Sequence, residues 1–316
     1  KNPKNHQRGF TEIWSELLNV PMNETKISSD VFYCDHGANF TGVPNIMGGF
    51  ARWFDSYKHS FDMFLEAKEV YSLGIDMPPY GEWMRARKDT APLGDDYWDR
   101  VTEQCNKAKT IRMSDIPGIT KLAIGDSHTP SVSPKGSAVV KKDGSTLFGN
   151  ASNDFADLDK IIDDFSNLEL ITISLGNIDV RHHIYRHEEG SWRQIYDKVF
   201  FYMEDLRQRL GCEVELALPF PIECESRNVP KSGYYKGTPF YGTRQQRAML
   251  VDQIREYSAY ENMVSCPPEW YKMDPLAYSN DMMEARGRTA SVHLSPERYR
   301  RKDWGVINNT IEDFFS

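Results

Sequence analysis

Residues 120–130 have the sequence TKLAIGDSHTP, and this stretch decides how the chain folds. Its first part, 120–124, is a short apolar run of the length typical of a buried strand. Gly125, Asp126 and Ser127 follow at once and predict a turn, because glycine allows the tight bend that ends a strand. Ser127 is therefore expected at the carboxyl end of a strand, where open α/β sheets place their ligand sites.

Strand and helix patterns alternate from this point towards the C-terminus. Short apolar runs predict further strands at 137–140, 168–175 and 214–218, and amphipathic segments predict helices near 154–166, 191–210 and 242–258. This regular order is typical of a parallel sheet with crossover helices. We therefore expect an α/β fold, a three-layer sandwich built on a mostly parallel sheet.

The first part of the chain has a different character. Before residue 118, aromatic residues are spread through a segment with Gly and Pro punctuation and no strand alternation. Residues 46–73 carry apolar side chains at three- and four-residue steps, which predicts helix with these aromatics on a core face rather than on a sugar-stacking surface. Strand signals are few, so we expect no second sheet domain with its own chemistry. The predicted domains are a mostly helical, irregular N-terminal cap or subdomain at 1–117 and an α/β domain at 118–316.

Composition and charge exclude several classes of protein. The 316 residues are 40% hydrophobic and 27% charged, which is typical of a folded globular chain. The formal net charge of −8 argues against general binding to nucleic acid or to anionic lipid. No apolar run is long enough to cross a bilayer, residues 1–4 lack the apolar stretch of a secretion signal, and the cysteines are sparse. We expect a cytoplasmic protein with reduced thiols, no cofactor, and no membrane or nucleic-acid partner; the pattern leaves the oligomeric state open.

Ser127 is the candidate nucleophile. A serine hydroxyl attacks poorly unless a neighbouring base takes its proton. The amide groups of the turn after Gly125 can point at a developing oxyanion. Gly-Asp-Ser turns also occur in simple loops, so other segments have to supply the base and the remaining donors.

Three later segments follow in the order of a known superfamily. GSTLFGN at 144–150 follows the second strand, GNID at 176–179 follows the third, and His293 lies in ASVHL at 290–294. Together with the Gly-Asp-Ser turn, these segments resemble the four motifs of the SGNH/GDSL hydrolases, over about residues 118–302. The resemblance implies an SGNH or flavodoxin-like α/β fold and acyl-transfer chemistry.

The resemblance also implies roles for individual residues. Ser127 would attack an acyl carbonyl, and His293 would take its proton and return it to the leaving group. The backbone amides of Ser127 and Gly144 would bind the oxyanion. Gly149 is the weaker choice as a donor, because a helix should begin there.

The third motif departs from the family pattern at Ile178, where the family has an asparagine that contributes to the oxyanion hole. The polar residue is displaced to Asn177, which we expect to take that role. GNIDVRHH at 176–183 is similar to a variant, GEID or GQVD followed by basic residues, found in SGNH-like proteins of polysaccharide gene clusters. This similarity favours a small-molecule or carbohydrate ester as substrate.

The fourth motif departs from the pattern at Ala290, where the triad aspartate would stand. Without that carboxylate the histidine loses the partner that fixes its tautomer, which can cost about 10⁴-fold in turnover. Four explanations stay open. They are a Ser-His pair oriented by a backbone carbonyl, a carboxylate from elsewhere such as Asp179 or Glu284, an Asp-to-Ala change made to trap substrate, and a natural loss of catalysis.

Polar residues around these motifs are candidates for substrate contact, with a solvated or structural role as the alternative. They are Asp126, His128, Asp179, Arg181, His182 and His183. His128 is expected to form a pocket wall rather than to act as the base. His183 and His187 have the spacing of two ligands on one helix face, but no acidic motif accompanies them, and we predict no metal site.

The function expected from these residues is that of a serine esterase or deacetylase that removes an O-acyl group through an acyl-Ser127 intermediate. An acyltransferase with the same Ser/His site is the nearest alternative, and water access decides between the two. A catalytically inactive SGNH-like binding module is the third possibility, favoured by Ala290 and Ile178. A loop at 219–242 is expected to lie over the carboxyl edge of the sheet, as a lid or as a packed loop, and a polar patch at 35–39 is expected to reach the edge of the Ser127 pocket.

Overall fold

The strand predicted at 120–124 lies inside a six-stranded sheet. The computed structural model describes residues 5–20, 30–35, 54–86, 93–184, 191–220, 236–237, 240, 242–257, 262–274, 278, 282–286, 289–301 and 305–306. The chain divides into two compact units, Lys1–Pro117 and Gly118–Ser316. Among the described residues, no helix combines the length and the apolar character needed to cross a membrane.

Helices and three short strands make up the first unit. They are α1 (Asn5–Leu18), β1 (Val31–Cys34), α2 (Phe54–Glu66), β2 (Glu69–Leu73), α3 (Tyr80–Arg85), α4 (Asp95–Lys107) and β3 (Lys109–Ile111). The second unit alternates strands and helices. It contains β4 (Lys121–Gly125), α5 (Thr129–Val132), β5 (Ala138–Lys141), α6 (Leu147–Ser152), α7 (Ala156–Ile162), β6 (Leu170–Ser174), α8 (Asn177–His182), α9 (Ser191–Leu210), β7 (Glu213–Ala217), α10 (Arg244–Tyr257), β8 (Met263–Ser265), α11 (Pro268–Lys272), β9 (Met283–Arg286), β10 (Thr289–Leu294) and β11 (Gly305–Val306).

The main sheet has the strand order β5-β4-β6-β7-β8-β11. All its pairs are parallel except β11 with β8. The chain moves from β4 to β5 on one side and then to β6 on the other, so right-handed crossovers place α5 on one face and α7, α9 and α10 on the opposite face. The predicted α/β sandwich with a mostly parallel sheet is confirmed, and its first four strands lie within about two residues of their predicted bounds.

Burial on both faces explains why these strands are nearly continuous apolar runs. Leu122 and Ile171 are in register on one face of the sheet, Ala123 and Thr172 are in register on the other, and all four are fully buried. A strand covered by helices on both faces has no solvent side on which polar residues could alternate.

The first unit contains a sheet that the sequence did not predict. β1, β2 and β3 form a three-stranded parallel sheet in that order. The few strand signals therefore did not reveal this sheet, and the expectation that the first unit has no chemistry of its own stays a prediction. Its strands escaped detection because they are only three to five residues long and pair across long intervening segments.

The helix predicted at 46–73 is only partly correct. α2 covers Phe54–Glu66, but the chain then enters strand β2 at Glu69. Phe61 and Phe64 are fully buried, and Phe61 packs edge-on against Trp98 with ring centroids 5.3 Å apart. The aromatics of α2 that the structure describes therefore form core, as expected. Residues 46–53 and most of the predicted patch at 35–39 lie outside the described residues.

Two consecutive arginines tie the C-terminal segment to the helix that follows Ser127. Arg300 and Arg301 have positive φ values of 65° and 49°, which costs on the order of 1–3 kcal/mol for each such residue. Their backbone N–H groups donate to the carbonyls of Pro130 and Ser131, each at 3.0 Å. The Arg300 guanidinium donates to the carbonyl of Ser137 at 2.8 Å. These bonds offset the backbone strain and fix the segment after His293 beside α5.

The Arg301 side chain ends in a buried ion pair on the α5 face of the sheet. Its guanidinium pairs with the Glu215 carboxylate, with side chains only 13% and 8% exposed. Thr172 donates to the same carboxylate at 2.6 Å, and the Arg301 Nε–H donates to the carbonyl of Val132 at 2.9 Å. The pair therefore joins β6, β7, α5 and the C-terminal segment.

Replacing Arg301 should destabilise the second unit strongly. In Arg301→Met the Glu215 charge stays buried without its ion-pair partner, which typically costs about 3 kcal/mol or more of unfolding free energy. Arg209→Met is the matched control, because Arg209 forms exposed pairs with Asp159 and Asp163 and should cost below about 1 kcal/mol. Urea denaturation of both variants measures the difference, and equal losses would contradict the role given to the Arg301–Glu215 pair.

Candidate active site

The turn that carries Ser127 is held by its neighbours on both sides. The Asp126 N–H donates to the carbonyl of Ser174 at 2.8 Å, which joins the end of β4 to the end of β6. The Thr129 hydroxyl donates to the carbonyl of Asp126 at 2.6 Å, and α5 begins at Thr129. Ser127 stays partly exposed between these bonds, whereas Asp126 and His128 are buried.

His293 meets Ser127 at the carboxyl edge of the sheet. Its Nε2 lies 2.8 Å from Ser127 Oγ, across 166 residues of sequence. His293 belongs to β10, which pairs antiparallel with β9, and the register shifts between Ala290 and Leu294. Such bulges redirect side chains next to functional sites. The structure thus brings the predicted nucleophile and base within hydrogen-bond distance.

Asn177 begins α8 at the neighbouring strand end. Its side-chain Oδ1 accepts the Phe220 N–H at 3.3 Å, and only 5% of the residue is exposed. Its side chain also helps to lower the pKa of Asp126 against the larger effect of burial. These contacts place Asn177 under the nucleophile turn, and its oxyanion role stays a prediction.

Gly144 lies in the turn between β5 and α6. Its φ is +82°, and a Cβ added there would meet no described atom within 4 Å. Gly149 lies inside α6, where Thr146 caps the helix by accepting the Gly149 N–H at 2.9 Å. The Gly149 amide is thereby engaged, so Gly144 remains the predicted second oxyanion donor beside the Ser127 amide.

Asp179 has a structural task. Its two carboxylate oxygens accept the backbone N–H groups of Leu147 and Phe148 at 2.7 and 3.0 Å, which caps the start of α6. Burial raises the pKa of Asp179, and these two bonds and the nearby His183 oppose the rise. Both oxygens point at α6, so the structure does not bring Asp179 to His293 as a substitute for the triad carboxylate.

Glu284 is the other candidate for that carboxylate, and Ala290 stands at the position where the resemblance implies the triad aspartate. The backbones of Glu284 and Ala290 lie in β9 and β10, but their side chains lie outside the part of the chain that the structure describes. The prediction that the Ala290 Cβ faces the far nitrogen of His293 therefore stays a prediction. Most of the predicted loop at 219–242 also lies outside the described residues.

Arg181 makes a buried contact beside the nucleophile turn that its sequence pattern did not predict. Its Nη2 lies 3.2 Å from His128 Nε2, and both side chains are buried. Arg181 also acts on Asp126, whose pKa burial raises to about 7 against the opposing effects of the His128 amide bond and the Arg181 charge. The basic residues after GNID were a signal for this contact, but only the fold shows that Arg181 faces His128.

The remaining histidines of this cluster pack against aromatic rings. His182 is buried and lies 5.3 Å from the ring of Phe240. His183 is partly exposed and stacks on Phe148 with ring centroids 6.4 Å apart. Within the described ranges, no group of three His, Cys, Asp or Glu residues could hold a metal ion.

Comparisons with known proteins add little to this geometry. No family model matches the chain, and no curated protein matches it. A provisionally assigned platelet activating factor from Streptococcus pneumonia has 14% identity, 63% coverage of this chain, 84% coverage of its own and a TM-score of 0.37. A catalytic mutant of an acetylxylan esterase from Geobacillus stearothermophilus has 17% identity, 58% coverage of this chain, 91% of its own and a TM-score of 0.29. Both TM-scores are below 0.5, so neither likeness carries an argument.

The buried Asp126 should make stability depend on pH. Its pKa is about 7 in the folded chain and about 4 in an unfolded chain, so the folded state binds the extra proton between these values. The contribution of Asp126 to the free energy of unfolding is complete below about pH 4 and is lost as the pH rises towards 7. Asp126→Asn, whose amide oxygen can still accept the His128 N–H, should show a smaller fall in unfolding free energy from pH 4 to 7.

Urea denaturation at several pH values measures this difference. Asp143→Asn is the control, because Asp143 is an exposed partner of Lys141 and should leave the profile unchanged. Parallel profiles for the wild-type chain and Asp126→Asn would show that Asp126 does not bind the proton.

Proposed function

We propose that this chain is a serine esterase or deacetylase of the SGNH type that acts on an O-acyl group through an acyl-Ser127 intermediate. The observation that carries the proposal is the 2.8 Å approach of His293 Nε2 to Ser127 Oγ. A serine at the carboxyl end of a parallel strand with a histidine at hydrogen-bond distance is the minimum arrangement for nucleophilic acyl transfer. The flavodoxin-like strand order supports it, since β4 and β6 flank the point where such sheets bind ligands.

The proposed reaction has two halves. His293 Nε2 takes the hydroxyl proton as Ser127 Oγ attacks the ester carbonyl, and the oxyanion forms beside the amides proposed for it, those of Ser127 and Gly144. The carbon–oxygen bond to the alcohol then breaks, and His293 gives its proton to the departing alcohol oxygen. Water enters, loses a proton to His293 and attacks the acyl-Ser127 carbonyl. The bond from the acyl carbon to Ser127 Oγ then breaks, His293 returns its proton to Oγ, and the carboxylic acid leaves.

Hydrolysis is favoured over acyl transfer by the exposure of the nucleophile. Ser127 is partly exposed, so water can approach an acyl group bound to it. A dedicated acyltransferase has to exclude water from that position.

A carbohydrate ester is the proposed substrate class. The similarity of GNIDVRHH to the polysaccharide-linked variant motif supports it, as does an aromatic surface formed by Phe148 and His183. These rings are nearly parallel, at an interplanar angle of 22°, and Phe148 is 39% exposed. Both residues follow strands at the carboxyl edge of the sheet, the edge that carries Ser127. Flat, exposed aromatic faces suit the apolar faces of sugar rings.

A fluorophosphonate probe tests the nucleophile directly. The probe should label the purified chain at Ser127, and Ser127→Ala should abolish labelling, because no other hydroxyl has His293 at 2.8 Å among the described residues. His293→Gln should slow labelling by at least about a hundredfold. Ser152→Ala removes an exposed hydroxyl on α6 and is the matched control that should label at the wild-type rate.

The Ala290→Asp variant separates the explanations for the missing carboxylate. Equal labelling of the chain and the variant would support a Ser-His pair that works without an acid, whereas labelling of the variant alone would show that the carboxylate limits reactivity. If neither protein is labelled, the acyl-enzyme proposal fails, and the inactive binding module takes its place.

A further inference from the structure

The ring of His128 packs directly against the proposed base. The centroids of His128 and His293 are 4.9 Å apart with an interplanar angle of 39°. Phe220 packs edge-on against His128 with centroids 4.7 Å apart. Only 1% of His128 is exposed, so its ring cannot swing away from this position into solvent.

Arg181 fixes the protonation state of this ring. A guanidinium has N–H donors only and keeps its charge, so at 3.2 Å it can form a hydrogen bond only with a lone pair on His128 Nε2. Nε2 is therefore the unprotonated nitrogen, and the neutral imidazole carries its hydrogen on Nδ1. Protonation of Nε2 would place two like charges in contact in a buried site, which is costly.

The other groups around His128 agree with a neutral ring. Asp126 accepts the backbone N–H of His128 at 2.8 Å, and its charge is opposed by the same Arg181. Phe220 brings no charge. His293 becomes cationic during the proposed reaction, and a neutral neighbour avoids repulsion at that moment.

We propose that His128 is a positioning residue: a neutral imidazole, held by Arg181, that orients the His293 ring towards Ser127. The proposal rests on the proposed function of Ser127 and His293. The resemblance to SGNH hydrolases implies an aspartate at the position of Ala290, and the contact between the two rings is a way of orienting the base that does not need it. A carboxylate acts through charge and a hydrogen bond, whereas His128 acts through contact of two rings.

Two substitutions of His128 separate the effect of its ring on His293 from the effect of its hydrogen bond with Arg181. His128→Phe keeps a flat ring against His293 and loses the acceptor for Arg181, whereas His128→Gln keeps an acceptor and loses the ring. We expect His128→Phe to retain most of the fluorophosphonate labelling rate. His128→Gln should lose between about tenfold and a hundredfold, as expected when a catalytic group is misplaced by about 1 Å. In ester turnover, His128→Gln should lower kcat with KM nearly unchanged.

Phe155→Ala is the matched control for general destabilisation. It removes a buried ring that stacks on Tyr202 with centroids 4.4 Å apart, and it should leave the labelling rate of folded protein at the wild-type value. A labelling rate for His128→Gln equal to wild type, or equal losses in His128→Phe and His128→Gln, would overturn the ring-packing role.

Nitrogen-15 NMR of the histidine side chains tests the same inference without turnover. At neutral pH His128 should show an unprotonated Nε2 and a proton on Nδ1, because Arg181 can only donate to Nε2. In Arg181→Met the Nε2-protonated form should appear. The His293 signals should shift between wild type and Ser127→Ala, and that shift should vanish in the His128→Gln background.

Labelling and NMR together distinguish a failure of the proposed esterase function from a failure of the role given to His128. Absence of labelling in every variant, with the NMR pattern as expected, would overturn the proposed esterase function, whereas the packing of a neutral His128 ring on His293 would stand as a structural contact. A His128 ring that is protonated on Nε2 at neutral pH overturns the positioning inference, whatever the labelling shows.

Discussion

Between the carboxyl ends of β4 and β6 the two backbones come so close that a Cβ atom on Gly125 would lie 1.9 Å from the carbonyl oxygen of Ser174. Only glycine fits there, with a φ of +149°. The Asp126 N–H donates the last hydrogen bond of the β4–β6 ladder, to the carbonyl of Ser174, and the chain then turns away from the sheet. Ser127 therefore lies at the carboxyl edge of the sheet, beside the boundary between β4 and β6 where the strand order changes direction. The other site residues surround it.

Buried charges hold the segments around that turn. On one face, Arg301 and Glu215 connect the C-terminal segment to α5 and the central strands. At the carboxyl edge, the Asp179 carboxylate binds the start of α6. A buried charge costs free energy unless it is paired or fully hydrogen-bonded. Arrangements that break these pairs are therefore unfavourable, which selects the observed geometry. Ser127 and His293 are 166 residues apart in sequence, and contacts of this kind define their separation in the fold.

Local signals explain how much of this could be predicted from sequence. The strand, the glycine turn and Ser127 are adjacent in the chain, and long apolar or amphipathic runs marked the main strands and helices. The sheet of the first unit was missed because β3 has only three residues and parallel pairing is remote in sequence. The contact between His128 and Arg181 spans 53 residues and depends on two turns at neighbouring strand ends. Neither hydrophobic periodicity nor motif spacing predicts this contact between two distant side chains.

The surroundings of His293 set the chemistry that the pair can perform. A carboxylate beside a histidine stabilises the imidazolium and makes the ring a stronger base. Here one described neighbour of His293 is the His128 ring, and the Arg181 guanidinium lies behind that ring, with its Nη2 3.2 Å from His128 Nε2. For the proposed acyl transfer the orientation of His293 towards Ser127 matters, because a catalytic group misplaced by about 1 Å can cost about a hundredfold in rate. The role proposed for the rigid His128 ring is to hold that orientation.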